Sequence, residues 1–251
     1  MKSNPYTIDM KRLLLAIIML LPLWACAQSD SLAIHIVDRY LRIMNVDALP
    51  ADSMLVATTE IVYPTTGDTF TMQRYYAPPQ MFRIEVRQSD GSLETGLYGN
   101  GDGVYRAYSE RHKQWVGVTR ESYFSRLGGF DLRGPLYNWR SDNAYLTYRG
   151  QAEFKGQKLD AVHYSAPGFF GRLYLFEPSG LLSAIIEDDT VDDGYKALLD
   201  AHIDWKVIHE YDHVGPALLP TVESFMRQQI LTVLRTRMHF EKRDDSIFNN
   251  D

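Results

Sequence analysis

The sequence predicts an α+β fold that is mainly β: one long antiparallel sheet that curls, with helices over its open concave side. Three observations predict it. Segments rich in Val, Ile, Thr, Tyr and Phe recur at short intervals along most of the chain, each bounded by Gly, Pro, Asn or Asp. The chain holds 16 tyrosines and 11 phenylalanines, residue types that favour strands. Helical spacing dominates only one long stretch, near the beginning of the mature chain.

In chain order, the first element is a leader, expected over residues 1–27. Lys11 and Arg12 precede the apolar run Leu13 to Leu21, which is too short to span a bilayer comfortably, and Ala25-Cys26-Ala27 supplies the small residues that signal peptidase reads. Cleavage is expected between Ala27 and Gln28. "MKRLLLAIIML" from Met10 reads as a complete signal start, which would move the true initiator there from Met1. The lone cysteine creates a fork, because Leu23-Trp24-Ala25-Cys26 is similar to a bacterial lipobox in which Cys26 would be lipidated and anchor the chain. Trp24 is bulky for that motif, and ordinary cleavage would leave a soluble mature chain without cysteine, held by its core rather than by disulfides. Either route takes the protein across the inner membrane, to the periplasm.

The remaining chain, residues 28–251, is long enough for a single substantial domain. It has no second apolar run of membrane-spanning length, no low-complexity linker and no repeat of solenoid period. The formal net charge is −6, and losing a leader that carries Lys2, Lys11 and Arg12 against Asp9 makes the mature chain more acidic. Such a surface excludes nucleic acid and anionic headgroups as partners bound by charge alone.

An amphipathic helix is expected from about Ser31 to Asn45. Ser29-Asp30-Ser31 offers N-cap side chains, and Ile34, Val37, Leu41 and Met44 recur at helical spacing. Strands follow at 54–63, 69–76, 81–88, 93–98, 104–108 and 114–118. Thr65-Thr66-Gly67-Asp68 and Ser89-Asp90-Gly91-Ser92 read as hairpin turns. Gly99-Asn100-Gly101-Asp102-Gly103 lies between strands and opens no helix, so it reads as a turn rather than a phosphate cradle. In the third strand Phe82, Ile84 and Val86 alternate with Arg83, Glu85 and Arg87, the pattern of a half-buried antiparallel strand. Residues 120–127 suggest a short helix stopped by Gly128-Gly129, and 132–137 an irregular or helical linker. Strands resume at 145–149, 159–165, 172–177 and 181–187, then at 201–211, 218–227 and 230–241. About twelve strands in one antiparallel sheet would curl strongly.

Several strings carry possible chemistry. His209-Glu210-Tyr211-Asp212-His213 is a literal H-E-x-x-H, which on a helix would set two histidines on one face for zinc, with the glutamate as general base. Here Ile203, Trp205, Val207 and His209 alternate as in a strand, which would hold the two histidines roughly 13 Å apart, so a zinc hydrolase is only a remote alternative. Asp188-Asp189-Thr190-Val191-Asp192-Asp193-Gly194 is dense in carboxylates but lacks EF-hand spacing, and reads as a solvated loop. Ser122 and Ser165 sit in no nucleophile elbow. The best candidates are apolar: Phe70, Met72, Phe82, Ile84, Val86, Leu97, Tyr105 and Trp115 fall at alternating strand positions that would line one concave face. They would either enclose a ligand or pack against the helix at 31–45; Met72 adapts to variable apolar ligands.

The order of these elements resembles the periplasmic lipoprotein-localisation carriers (LolA/LolB-like) and the wider outer-membrane lipoprotein-sorting set. "AIHIVDRYLRIMN" resembles that set's opening helix, and "YYAPPQMFRIEV" the hairpin in which an aromatic, a proline and a Phe-Arg pair precede a strand. "LYGNGDGVYRAY" resembles its Asp-Gly turn, and "LRGPLYNW" followed by "FKGQKLDAVHYS" its central crossing. "YDHVGPALLPTVESF" and "DDSIF" resemble its last hairpin and tail. The resemblance implies a strongly curved antiparallel sheet forming an unclosed β-barrel covered by helices. It further implies an apolar interior for an acyl chain, lipid or lipoprotein cargo, and no catalytic residues. A structural or sensing module with a filled core, binding another envelope protein, is the alternative function on the same fold.

Overall fold

A computed structural model describes residues 30–120, 122–123, 130–166, 171–187, 204–227 and 230–249. The leader with Cys26, Ala27 and Gln28 lies outside the described residues, as do the acidic loop 188–194, residues 201–203 and most of the short helix expected at 120–127.

Thirteen strands form one antiparallel sheet: β1 (Ser53–Val62), β2 (Thr69–Ala77), β3 (Met81–Gln88), β4 (Leu93–Asn100), β5 (Tyr105–Ser109), β6 (Gln114–Gly117), β7 (Tyr145–Phe154), β8 (Gln157–Ser165), β9 (Arg172–Phe176), β10 (Leu182–Glu187), β11 (Asp204–Val214), β12 (Ala217–Arg227) and β13 (Ile230–Lys242). Their order is β6-β5-β4-β3-β2-β1-β13-β12-β11-β10-β9-β8-β7, two runs of consecutive hairpins joined where β1 pairs with β13. Among the described residues no ladder joins β6 to β7, so the barrel is unclosed. β7 runs on to Phe154 where the sequence pattern stops at Arg149, because a register shift between Tyr148 and Gln151 bends the strand and lets pairing continue.

The helix α1 (Ser31–Met44) starts at Asp30, whose side chain accepts from Leu32 N at 2.8 Å. It ends at Asn45 in the left-handed conformation (φ 51°), whose Nδ2 donates to Pro216 O in the β11–β12 turn. Its buried stripe is Ala33, Val37, Tyr40 and Met44, rotated slightly from the Ile34, Val37, Leu41 and Met44 that hydropathy alone selects. Packing on a concave sheet explains the rotation, since small Ala33 permits close approach and Tyr40 reaches edge-on to Phe176 at 5.7 Å.

The main core fills the inner side of the sheet. It combines the α1 stripe with Leu55, Met72, Phe82, Leu97, Leu146, Val162, Tyr174 and Leu182, and with Tyr123, Leu132, Leu136 and Trp139 from the connection between β6 and β7. These four side chains therefore join α1 in covering the inner side of the sheet. A second cluster lies on the opposite face of β7 to β11, where Phe154, Leu159, Leu173, Leu175, Ile186 and Val207 are buried. A third lies outside β1 to β3, where Phe248 from a 3-10 turn at Asp245–Phe248 packs with Met54, Val56, Ala77 and Met81.

Candidate ligand-binding face

Antiparallel partners share a face, so the registers decide which side chains meet. Met72 pairs with Val86, Arg74 with Ile84, and Tyr76 with Phe82. Ile84 pairs in turn with Leu97, Phe82 with Gly99, and Gly99 with Tyr105. Phe70, Met72, Phe82, Ile84, Val86, Leu97 and Tyr105 consequently occupy one face, the inner one. Met72, Phe82, Ile84 and Leu97 are buried there, Val86 and Tyr105 pack against the same core, and Phe70 lies near the β1–β2 turn, edge-on to Tyr63 at 5.2 Å.

Trp115 belongs to the other face, which corrects its place among these residues. The β5–β6 ladder pairs it with Tyr108 and puts Val116 opposite inward Ala107. Trp115 instead packs against Tyr98 and Tyr108, with the Arg83 guanidinium 5.3 Å from its ring. It lies across Gly96, where a Cβ would come within 2.3 Å of its ring.

The inner face also holds polar groups that hydropathy did not single out. Arg133 pairs with Asp131 at 2.8 Å, both almost fully buried, and its guanidinium sits 4.3 Å from the Tyr137 ring, 4.7 Å from Phe82 and 5.4 Å from Tyr76. Burial alone would lower the Arg133 pKa, and the adjacent Asp131 carboxylate more than restores it. Glu223 on β12, paired with Ile208 and Leu234, meets Lys206 at 2.6 Å. Burial pushes the phenols of Tyr40, Tyr123 and Tyr211 up, so they stay neutral, and Tyr211 Oη donates to Leu182 O at 2.7 Å. For those polar groups on strands the sequence signal is a charged or phenolic side chain in the inward register, as with Arg74 between Met72 and Tyr76. Tyr40, Tyr123 and Arg133 lie off the strands and carry no such signal.

A surface cleft of about 330 Å³ opens between the end of α1, at Leu41, Val46 and Asp47, and the crossing segment at Tyr137, Asn138 and Arg140. None of the eight predicted positions lines it.

His209 and His213 both lie on extended β11, where the helical geometry of a zinc motif is lost, and His209 Nε2 is 2.7 Å from Ser224 Oγ. Among the described residues no three His, Cys, Asp or Glu side chains group for a metal ion. The β4–β5 hairpin turns at residues 101–104, since β4 runs on through Gly99 and Asn100, with Asn100 Oδ1 accepting from Asp102 N and Val104 N. Among the described residues no helix is long and apolar enough to cross a membrane.

No protein-family model matches the sequence, and no curated protein matches it. Solved structures do match the fold. A LolA superfamily protein of Nitrosomonas europaea is 11% identical over 87% of this chain and 98% of its own, with a TM-score of 0.57. A DUF1329 family protein of Desulfovibrio piger is 13% identical over 87% of this chain and 97% of its own, with a TM-score of 0.56. A structure described as an outer membrane lipoprotein-sorting protein domain, from Vibrio parahaemolyticus, is 9% identical over 85% of this chain and 97% of its own, with a TM-score of 0.52. At these identities the likeness is one of fold: an open, mainly β barrel of the LolA type.

Proposed function

We propose that this chain is a non-catalytic periplasmic protein that binds a hydrophobic ligand on its inner face, as carrier or chaperone for the acyl chain of a lipid or lipoprotein. One observation carries the reading: among the described residues the apolar inner face is covered by α1 and by side chains from the connection between β6 and β7, not by a second sheet. Such a cover can be displaced without breaking a ladder. Re-exposing Val37, Tyr40 and Met44, the large side chains of the α1 stripe, costs roughly 4.5–9 kcal/mol at about 1.5–3 kcal/mol each. A 16-carbon chain gains on the order of 11 kcal/mol at about 0.8 kcal/mol per methylene, which makes the exchange feasible. The fold shared with the structure described as a lipoprotein-sorting domain supports the same reading.

The experiment is saturable binding of a fluorescent acyl probe to delipidated protein. Binding at one probe per chain is expected; failure to bind any acyl probe would end the carrier reading. The second reading, an interaction module for another envelope protein, draws on the bulky side chains already inside, since Tyr40, Tyr123, Phe176 and Leu136 are fully buried. Crosslinking to an envelope protein, together with no acyl binding, would favour it.

A further inference from the structure

Arg74 places a positive charge on the inner face of the sheet. It sits between Met72 and Tyr76 on β2, opposite Ala57 on β1 and Ile84 on β3, and is 7% exposed. Its Nη2 lies 3.4 Å from Thr59 Oγ1 and 3.3 Å from Thr236 Oγ1, long contacts to two hydroxyls that bond each other at 2.8 Å. Its Nε is buried and has no hydrogen-bond partner. Three further cations of the sheet and its cover are matched: buried Arg133 by Asp131, and partly buried Arg83 by Glu85 and Lys206 by Glu223. Among the described residues no carboxylate forms an ion pair with Arg74, and Glu223 and Asp131 act on it only at longer range. A guanidinium does not escape the cost of burial by losing its proton under ordinary conditions, so a well-packed apolar side chain would serve a purely structural interior better.

The register shows where a ligand chain would run. Ala57, Arg74, Ile84, Leu97, Ala107 and Val116 form one cross-strand row from β1 to β6, apolar at every position but Arg74. From β2 to β6 that row is roughly 19 Å long at about 4.8 Å per strand, the scale of a long acyl chain. We propose that Arg74 receives the anionic end of the bound amphiphile, so that the ligand is an acyl chain bearing a carboxylate or phosphate rather than a neutral capped chain. This rests on the acyl-binding reading and names its ligand class. A planar guanidinium with a free Nε–H suits either anion, which would replace the long threonine contacts with charge-assisted hydrogen bonds.

The test is competition of oleate, oleoyl lysophosphatidate and methyl oleate against a neutral fluorescent acyl probe on delipidated protein. Wild type, Arg74→Met and Arg74→Lys are compared. At least one anion is expected to bind wild type tenfold or more tightly than methyl oleate, and which one does so separates the carboxylate from the phosphate source. Arg74→Met should erase that gap while leaving methyl oleate within about twofold, and Arg74→Lys should keep part of it. Unliganded Arg74→Met should melt no lower than wild type. Equal wild-type affinity for methyl oleate and both anions would overturn the anion site while leaving acyl binding intact, and the wild-type comparison decides this even if the variant fails to fold. A preference undiminished in Arg74→Met would likewise overturn it. No binding of any of the three would overturn the acyl reading and this inference with it.

Discussion

Gly96 and Gly99 show how closely single positions are matched to this fold. Both lie on β4, on opposite faces: a Cβ at Gly96 would meet the Trp115 ring at 2.3 Å outside, and one at Gly99 the Tyr123 ring at 2.9 Å inside. Gly96→Ala should destabilise the protein by about 1–3 kcal/mol in urea unfolding, and by much less in a Trp115→Ala background. Equal losses in both backgrounds would show that the contact is not the cause. Glu85 supplies a pH-dependent contribution. Burial alone would raise its pKa, but hydrogen bonds from Arg83 and Arg87 outweigh that and hold its carboxyl below the usual range. A depressed folded pKa gives stability that is present above the unfolded value and lost as pH falls through the folded one. Wild type should therefore lose stability relative to Glu85→Gln between about pH 5 and pH 3, measured by urea midpoints. The Trp115 misplacement belongs to this scale too. Alternation along β6 was legible, but parity against β5 depends on the turn at 110–113, and composition does not report that geometry.

At the scale of elements, most strands and α1 were legible because period-2 and helical patterns are local and are punctuated by Gly and Pro. What escaped was set by partners distant in sequence. The α1 stripe rotated to suit the sheet, and the tail at 245–248 proved to be a strap whose anchoring side chain, Phe248, is 0% exposed. Asp244 caps that turn through Ser246 N, while Arg83 Nη1 donates to Ile247 O at 2.6 Å. Phe248→Ala should cost about 3–5 kcal/mol of stability by calorimetry or urea unfolding. Because Phe248 packs outside β1 to β3, acyl affinity should stay unchanged. A variant that folded normally but lost the ligand would place the ligand outside the barrel.

For the whole molecule, the fold could be read from the order of hairpins, but the state of the interior could not. An apolar inward register serves a filled core and a ligand-binding face equally well. The difference lies in how firmly α1 and the packed side chains Leu132, Leu136 and Trp139 hold their places. If a ligand enters by displacing the helix, acyl binding should change hydrogen exchange most at amides 31–44 and least along the β1–β13 ladder. Unchanged exchange in α1 with ligand bound would rule out that route.

The pairing of β1 with β13 governs when this molecule can become native. Ser53 must meet Lys242, and Glu60 must meet Arg235, so the two hairpin runs remain separate until β13 is available. Such distant closure favours folding in milliseconds to seconds rather than microseconds. Until then the early strands expose apolar surface and unpaired edges to aggregation. A chain halted before Ile230 could build hairpins but not their central seam, so β13 controls completion of the entire barrel.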